Sequence, residues 1–148
     1  MGKEMRIGII SGYFNPLRTG HLDYIEAARE NCNSLYVIVN NDEQVNLKGS
    51  TPFMDSESRR RIVGALGAVG RAIVAIDKDE SVLATLKCIY EKYCFDVFVD
   101  SITFMNGGDR VEGNTPEEEY CKNVGIHTLY GVGGTKTESS SNLLSNRG

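Results

Sequence analysis

The chain has 148 residues, of which 41% are hydrophobic and 24% charged, a composition that indicates an ordinary globular protein of about one domain. Its formal net charge of −4 and pI near 5.2 argue against a general nucleic-acid-binding protein, which would normally be basic. No apolar run approaches the roughly 20 residues that a membrane span needs, and no signal-peptide pattern is present. The four scattered cysteines, without a C-x-x-C pair, indicate reduced thiols and predict a cytoplasmic protein.

Strand-like and helix-like segments alternate along the chain. Compact apolar runs bounded by turn residues predict five strands, at residues 5–10, 35–40, 72–76, 95–105 and 126–132. Helical spacing predicts helices after residue 20, after a capping Asp55, at 82–90, at 117–124, and from 139–141 onward. This alternation predicts an α/β fold: a Rossmann-like, doubly wound parallel sheet of about five strands with helices on both faces, in a single domain over residues 1–148.

Small, polar or charged residues collect after each predicted strand. The five stretches are Ser11-Gly12, Asn40-Asn41-Asp42, Asp77-Lys78-Asp79, Asn106-Gly107-Gly108-Asp109-Arg110 and Gly133-Gly134-Thr135-Lys136. Open α/β sheets bind ligands at the carboxyl ends of their strands. Glycine beside Lys or Arg suits a phosphate, because glycine lets backbone N–H groups approach and the cation neutralises charge.

The first strand is followed by a turn that holds Arg18 and His21, with His21 in the first turn of the next helix. Backbone N–H groups and the helix dipole favour an anion at such a helix start. A His in this place could also cap the helix, so both roles stay open at this point. Neither G-x-G-x-x-G nor G-x-x-x-x-G-K-[ST] follows the strand, so the dinucleotide fingerprint and the P-loop are absent.

The turn instead resembles the signature G-x-F-[DN]-x-x-H-x-G-H of the nucleotidyltransferase superfamily, written here as GYFNPLRTGH. Small cytidylyltransferase-like members, such as glycerol-3-phosphate cytidylyltransferase and the heptose-phosphate adenylyltransferases, are the most similar. Three further stretches resemble family signatures in the same order: PFMDSESRR with Arg59, NGGDR, and KTESSS. The resemblance covers nearly the whole chain.

The resemblance implies a role for each matching residue. Arg18 and His21 would bind the phosphates, while Lys48 and Arg59 would neutralise the acceptor or the transition state. The implied nucleotide-binding residues, besides His21, are Ser11, Gly12, Tyr13, Phe14, Gly20, Gly107, Gly108, Asp109, Arg110, Lys136, Ser139, Ser140 and Ser141. Among these, the Gly12–Phe14 turn would present backbone donors, Gly107 and Gly108 would admit the base or ribose, and the Lys136–Ser141 segment would hold the β- and γ-phosphates.

Arg18 stands where the family has the first His of H-x-G-H. Arg cannot act as an acid or base near neutral pH. It can still hold phosphate oxygens in a bidentate way, and nucleotidyl transfer depends mainly on positioning and charge stabilisation. The substitution is therefore compatible with catalysis, and equally with a protein that only binds nucleotide.

The sequence thus predicts a nucleotidyltransferase that transfers CMP or AMP from CTP or ATP to a small phosphorylated acceptor and releases pyrophosphate. Mg²⁺ would accompany the triphosphate, and no protein-bound metal is expected. The partners would be the two substrates and a second copy in a homodimer, with neither nucleic acid nor membrane. The alternatives are a nucleotide-binding sensor without turnover and a dinucleotide-dependent oxidoreductase, which the missing glycine fingerprint disfavours.

Overall fold

The computed structural model describes residues 4–108, 113 and 115–133, and a parallel β-sheet forms its centre. The strands are β1 (Met5–Gly12), β2 (Ser34–Val39), β3 (Arg71–Val74), β4 (Val99–Gly107) and β5 (His127–Val132). The helices are α1 (Thr19–Arg29), α2 (Asp42–Leu47), α3 (Ser56–Gly64), α4 (Leu83–Tyr93) and α5 (Glu118–Val124). The strands lie in the order β3-β2-β1-β4-β5, all parallel. The predicted doubly wound α/β fold is confirmed.

Helices cover both faces of this sheet. Ile25 of α1 and Val63 of α3 pack with one set of strand side chains, while Leu86 of α4 and Cys121 of α5 pack with the other. Because successive strand residues point to opposite faces, a strand covered on both sides is apolar throughout, as β2 is. None of the helices in the described part of the chain has the length and apolar character needed to cross a membrane.

The short helix α2 was not predicted from the sequence. Its start is fixed by a reciprocal capping box between Asn41 and Gln44. The N–H of Gln44 donates to Asn41 Oδ1 at 2.8 Å, and the N–H of Asn41 donates to Gln44 Oε1 at 3.0 Å. Two otherwise unsatisfied helix-terminal N–H groups are thereby bound.

Helix α3 begins as predicted and ends earlier than its apolar spacing indicates. The N-cap is Asp55, whose Oδ1 accepts from the N–H of Ser58 at 2.8 Å. The helix stops at Gly64, so Leu66 and Val69 pack against the sheet from the following turns. The predicted last helix, at 139–141, lies outside the described residues.

Strand β4 begins at Val99, later than the predicted residue 95. The preceding loop exposes the apolar side chains of Phe95, Val97 and Phe98. The N–H of Met5, the first residue of β1, donates to Phe98 O at 2.9 Å. The loop therefore lies at the amino ends of the strands, the edge opposite their carboxyl ends.

Candidate active site

A cavity of about 330 Å³ opens at the carboxyl ends of β1 and β4. From β1 the chain continues outward to β2 and β3, and then crosses back to β4 and β5 on the other side. The cavity therefore lies at the point where the strand order reverses, which is where open α/β sheets bind ligands. The residues that line it are Ser11, Gly12, Tyr13, Gly20, His21, Asp23, Tyr24, Asn40, Lys48, Asn106, Gly107, Gly108, Val132 and Gly133.

The turn after β1 is shaped by Phe14. Its φ of 48° is unusual for a residue with a side chain, and it directs a fully buried ring under Gly12. A Cβ on Gly12 would lie 2.7 Å from that ring, so this position requires glycine. Asn15 joins the turn to the loop before α3, since its side chain donates to Thr51 O at 3.0 Å and accepts from the N–H of Phe53 at 2.6 Å.

His21 lines the cavity and also caps helix α1. The N–H of Arg18 donates to His21 Nδ1 at 3.0 Å, so Nδ1 acts as an acceptor and Nε2 is the nitrogen left to donate to a ligand. The Phe14 ring meets the imidazole edge-on at 5.1 Å between centroids. The capping and phosphate-binding roles left open above are therefore compatible, because they use different nitrogens.

Arg18 is the N-cap residue of α1 and is exposed. Its carbonyl accepts from the N–H groups of His21 and Leu22, but Arg18 is not among the residues that line the cavity. An Arg side chain has no acceptor atom, so it cannot itself cap the helix. Its phosphate-binding role stays a prediction.

Lys48 lies at the end of α2 and reaches the cavity beside Tyr13. Its Nζ stands 4.1 Å from the centroid of the Tyr13 ring, within the range of a cation–π contact. The loop thus brings a positive charge to the same side of the cavity as the turn after β1. This position agrees with the charge-neutralising role that the resemblance implies.

Arg59 points inward, as its place on α3 predicts, but it does not line the cavity. Only 1% of its surface is exposed. Its Nη1 donates to Tyr13 O at 2.7 Å and to Asn40 O at 2.8 Å, and its Nη2 pairs with Asp42 Oδ1 at 2.7 Å. Its Nε donates to Met54 O at 3.1 Å. Through these contacts Arg59 positions the segments that follow β1 and β2. Direct contact between Arg59 and a substrate stays a prediction.

The site residues predicted from the sequence divide into three groups. The cavity is lined by Ser11, Gly12, Tyr13, Gly20, His21, Lys48, Gly107 and Gly108. Phe14, like Arg18 and Arg59, does not line it, because its ring is buried beneath the turn. The others lie outside the described residues: Asp109, Arg110, Lys136, Ser139, Ser140 and Ser141.

The site predictions from the sequence did not include several lining residues. Asn40 directly follows β2, and Asn106 is the last residue but one of β4; a polar residue at the end of an apolar run was the available signal for both. Tyr24 carried no such signal: its hydroxyl donates to Met105 O at 3.2 Å, and its ring lies against Gly107. A Cβ on Gly107 would lie 2.7 Å from that ring, so the cavity wall needs glycine here. Asp23, Val132 and Gly133 complete the set.

The described residues contain no group of three or more His, Cys, Asp or Glu side chains that could hold a metal ion. Asp23 is the acidic residue among those that line the cavity. Such a donor set fits a Mg²⁺ ion that is held mainly by triphosphate oxygens and water.

Comparisons with known proteins agree with this geometry. The family model of cytidylyltransferase-like proteins matches residues 9–121. The bifunctional protein HldE of Bradyrhizobium sp. (strain ORS 278) is 37% identical over 87 residues, which make up 57% of this chain and 17% of that protein. The FAD synthase of Methanopyrus kandleri is 38% identical over 92 residues, 60% of this chain and 58% of that enzyme. The matches thus span less than two thirds of these relatives.

Solved structures share the fold. The lipopolysaccharide core biosynthesis protein from Thermoplasma volcanium GSS1 superposes with a TM-score of 0.65 at 22% identity, over 85% of this chain and 95% of that one. The NadR protein in complex with NAD and AMP-PNP gives a TM-score of 0.52 at 16% identity, over 96% of this chain and 41% of that one. At these identities the likeness extends to the fold alone.

Proposed function

The chain belongs to the cytidylyltransferase-like family of the nucleotidyltransferase superfamily, and we propose that it transfers a nucleotidyl group from a nucleoside triphosphate to a small phosphorylated acceptor. The observation that carries this proposal is the cavity at the strand-order reversal, where His21, Lys48 and the glycine-bounded turn after β1 meet. The family match also favours this function over the dinucleotide-dependent oxidoreductase.

The reaction is a single in-line displacement. A phosphate oxygen of the acceptor attacks the α-phosphorus of the triphosphate, the bond from that phosphorus to the β-phosphate oxygen breaks, and pyrophosphate leaves. His21 would donate from Nε2 to a phosphate oxygen, and Lys48 would neutralise charge that builds up on the reacting groups. No covalent intermediate with the protein forms, so the rate depends on how firmly the turn and these two side chains are held.

The nucleotide is CTP or ATP in this proposal. Its base or ribose would lie against Gly107 and Gly108, which line the cavity beside Tyr24; the space that a Cβ on Gly108 would take is open. Lys136 and residues 139–141 would hold the β- and γ-phosphates, as the resemblance implies. A Mg²⁺ ion bound to the triphosphate would add further charge neutralisation.

A second candidate function is nucleotide binding without turnover. It is favoured by Arg18, which replaces the first family His and does not line the cavity in the described structure. If binding is all that remains, Arg18→His should create pyrophosphate release that the natural chain lacks. Equal turnover in both proteins would support the enzyme.

The direct test measures pyrophosphate release from ATP and from CTP with a panel of sugar and polyol phosphates. We expect release with one nucleotide and at least one acceptor, and a fall of roughly 10²-fold in His21→Ala, the scale on which a transition-state donor acts. The chain has one other histidine, His127, which is exposed at the first residue of β5, away from the cavity. His127→Ala is therefore the matched control and should keep full activity. If the protein binds nucleotide but releases pyrophosphate with no acceptor, the function that remains is that of the nucleotide-binding sensor.

We also propose a homodimer. The exposed Phe95, Val97 and Phe98 at the amino ends of the strands support a subunit contact there, because large exposed apolar patches commonly mark interfaces. Sedimentation equilibrium should give twice the mass of the chain, and Phe95→Ser should shift the protein toward monomer. A monomer at every concentration would contradict the proposal.

A further inference from the structure

Strand β3 forms one edge of the sheet, and among the strands that the structure describes it pairs with β2 alone. The N–H of Ala75, which directly follows β3, donates to Val39 O of β2 at 2.9 Å. Main-chain groups of successive strand residues point to alternate sides, so those of Ala72 and Val74 point away from β2. We call this outer side of residues 72–74 the β3 edge. Its N–H and C=O groups form the pattern with which another strand can pair.

The face of the sheet that α3 covers has an open depression of about 470 Å³ beside the β3 edge. Gly64 and Ala65 line it, and their small size leaves room for the side chains of an added strand. Arg60 and Arg61 line it as well. Arg60 pairs with Glu57, whereas the Arg61 side chain has no hydrogen bond or ion pair with any described residue. This side of the edge therefore offers an unpaired positive charge.

The opposite face, which α4 covers, has a smaller depression of about 160 Å³. It is lined by the apolar side chains of Ile73 and Ile76, the second of which is 58% exposed, and by the cations Arg71 and Lys92. Arg71 lines both depressions. The N–H of Ile76 is already bound by Thr85 Oγ1 at 2.9 Å, so the open main chain ends before it. This side of the edge combines an apolar surface with positive charge.

The charges decide what the β3 edge can accept. No carboxylate lines either depression, although the chain as a whole has a net charge of −4. A second copy that paired through its own β3 across a two-fold axis would bring two cationic depressions side by side, and like charges oppose that contact. Nucleic acid could neutralise the arginines, but it has no strand main chain to pair with the edge. The partner that matches both features is an acidic polypeptide in an extended conformation.

We propose that the β3 edge docks an extended acidic segment of another protein, which adds to the sheet as a further strand. Its main chain pairs with Ala72 and Val74, and its carboxylates contact Arg61 and Arg71. An added strand alternates its side chains between the two faces of the sheet. Acidic residues therefore suit the α3 face and apolar residues the α4 face, where Ile73 lies.

The β3 edge is separate from the candidate active site. The two depressions share no residue with the cavity, and β2 lies between β3 and β1. The proposal thus goes beyond the proposed function and does not rest on it. Pyrophosphate release tests one, and peptide binding tests the other.

The test measures binding of fluorescent peptides to the full chain by anisotropy. The first peptide alternates glutamate and valine over about six residues, the usual length of a strand, and the second has lysine in place of glutamate. Two further forms of the first peptide carry N-methyl groups on the glutamates or on the valines. We expect the acidic peptide to bind at least about tenfold more tightly than the basic one. Only one of the N-methylated forms should lose affinity, because a strand faces its neighbour with alternate residues.

Variants and amide hydrogen exchange then locate the binding. Arg61→Gln and Arg71→Gln should each weaken it about two- to fivefold, the scale of one exposed ion pair. The matched control is Arg6→Gln, because Arg6 is an exposed arginine on β1 and lines neither depression. In the natural chain, the amides of Ala72 and Val74 should become protected from exchange when the acidic peptide binds.

Four results would overturn the proposal. The acidic and basic peptides could bind equally, both N-methylated forms could bind as tightly as the parent peptide, or the Ala72 and Val74 amides could exchange at unchanged rates. In the fourth, a single-stranded oligonucleotide of the same charge binds as tightly as the acidic peptide, which would assign Arg61 and Arg71 to a general anion surface.

Discussion

Arg59 supplies the sharpest test of the structure, because the resemblance implies a role on the substrate and the geometry gives it a role in the scaffold. The change is Arg59→Met, which keeps a long unbranched side chain and removes every donor. It leaves three main-chain carbonyls and the Asp42 carboxylate without the guanidinium that binds them. We expect the free protein to lose stability even with no ligand present.

The magnitude follows from burial. Removing one partner of a buried ion pair typically costs about 3–5 kcal/mol, because the other is left uncompensated. Here Arg59 is 1% exposed but Asp42 is 39% exposed, so water can solvate the carboxylate and the loss of the pair alone costs below that range, about 1 kcal/mol. The carbonyls of Tyr13 and Asn40 supply the remainder, since orphaned buried acceptors cost about 1–3 kcal/mol each when water is excluded. We therefore expect a loss of about 3–4 kcal/mol, or a fall in Tm of roughly 10 °C.

Urea denaturation and a thermal scan without nucleotide measure this loss, and urea is preferred because it does not screen charges. The matched control is Arg60→Met on the same helix. Arg60 is more exposed and pairs with Glu57 across one turn, so its loss should leave the urea midpoint close to that of the natural chain. If Arg59→Met unfolds at the natural midpoint yet abolishes turnover, Arg59 acts on the substrate and its structural role is refuted.

Substitutions at three further positions have definite expected outcomes. Arg18→Ala should weaken nucleotide binding by roughly 1.5–3 kcal/mol if the side chain holds phosphate. An unchanged nucleotide affinity of Arg18→Ala, measured by calorimetry, would place the side chain outside the site. Arg18→His should keep the activity within about tenfold of that of the natural chain. The N–H of Ser58 lowers the pKa of Asp55 below its usual 3.8, so the stability that Asp55 contributes is present above about pH 4 and is lost as the pH falls through that lowered pKa. Asp55→Ala should lower the urea midpoint at neutral pH, and the difference between the variant and the natural chain should narrow at acid pH. Tyr13→Leu should raise KM about two- to fivefold because it removes the ring that contacts Lys48. Tyr13→Phe keeps the ring and should leave KM unchanged. An equal rise of KM in both variants would assign the effect to the Tyr13 hydroxyl instead.

The sheet could be predicted because its signals are local. β2 is a continuous apolar run, and α1 shows Ile25 and Ala28 on one face, so short windows suffice. Helix α2 lacks such a face and is held by the Asn41–Gln44 capping box and by bonds from Gln44 to Asp79 and Ser81. Those partners are 35 and 37 residues away, and no local pattern reveals them.

The lining of the cavity was predictable where a residue's place in the chain decides it, and not where the residue acts through a distant partner. His21 and Gly12 were found because the motif fixes both. Arg59 was assigned a charge-neutralising role from the resemblance, but its pairing with Asp42 and its bonds to Tyr13 O and Asn40 O depend on how three loops meet. The role of Arg59 in holding those loops together can therefore be recognised only in the folded structure.

The proposed binding of phosphate in the cavity is consistent with the way in which Arg59 and the main chain bind three carbonyl oxygens at its wall. The carbonyls of Gly12, Tyr13 and Asn40 are all acceptors at its wall, and each is bound by a donor of the protein: the Asn40 N–H in the first case and Arg59 in the other two. A carbonyl oxygen that already accepts a hydrogen bond repels an anion less than a carbonyl oxygen without one. With those three oxygens engaged, His21 and Lys48 contribute a donor and a positive charge to the wall. The wall thus offers a donor and a positive charge, the two features that the proposed transfer of a nucleotidyl group needs for its phosphates.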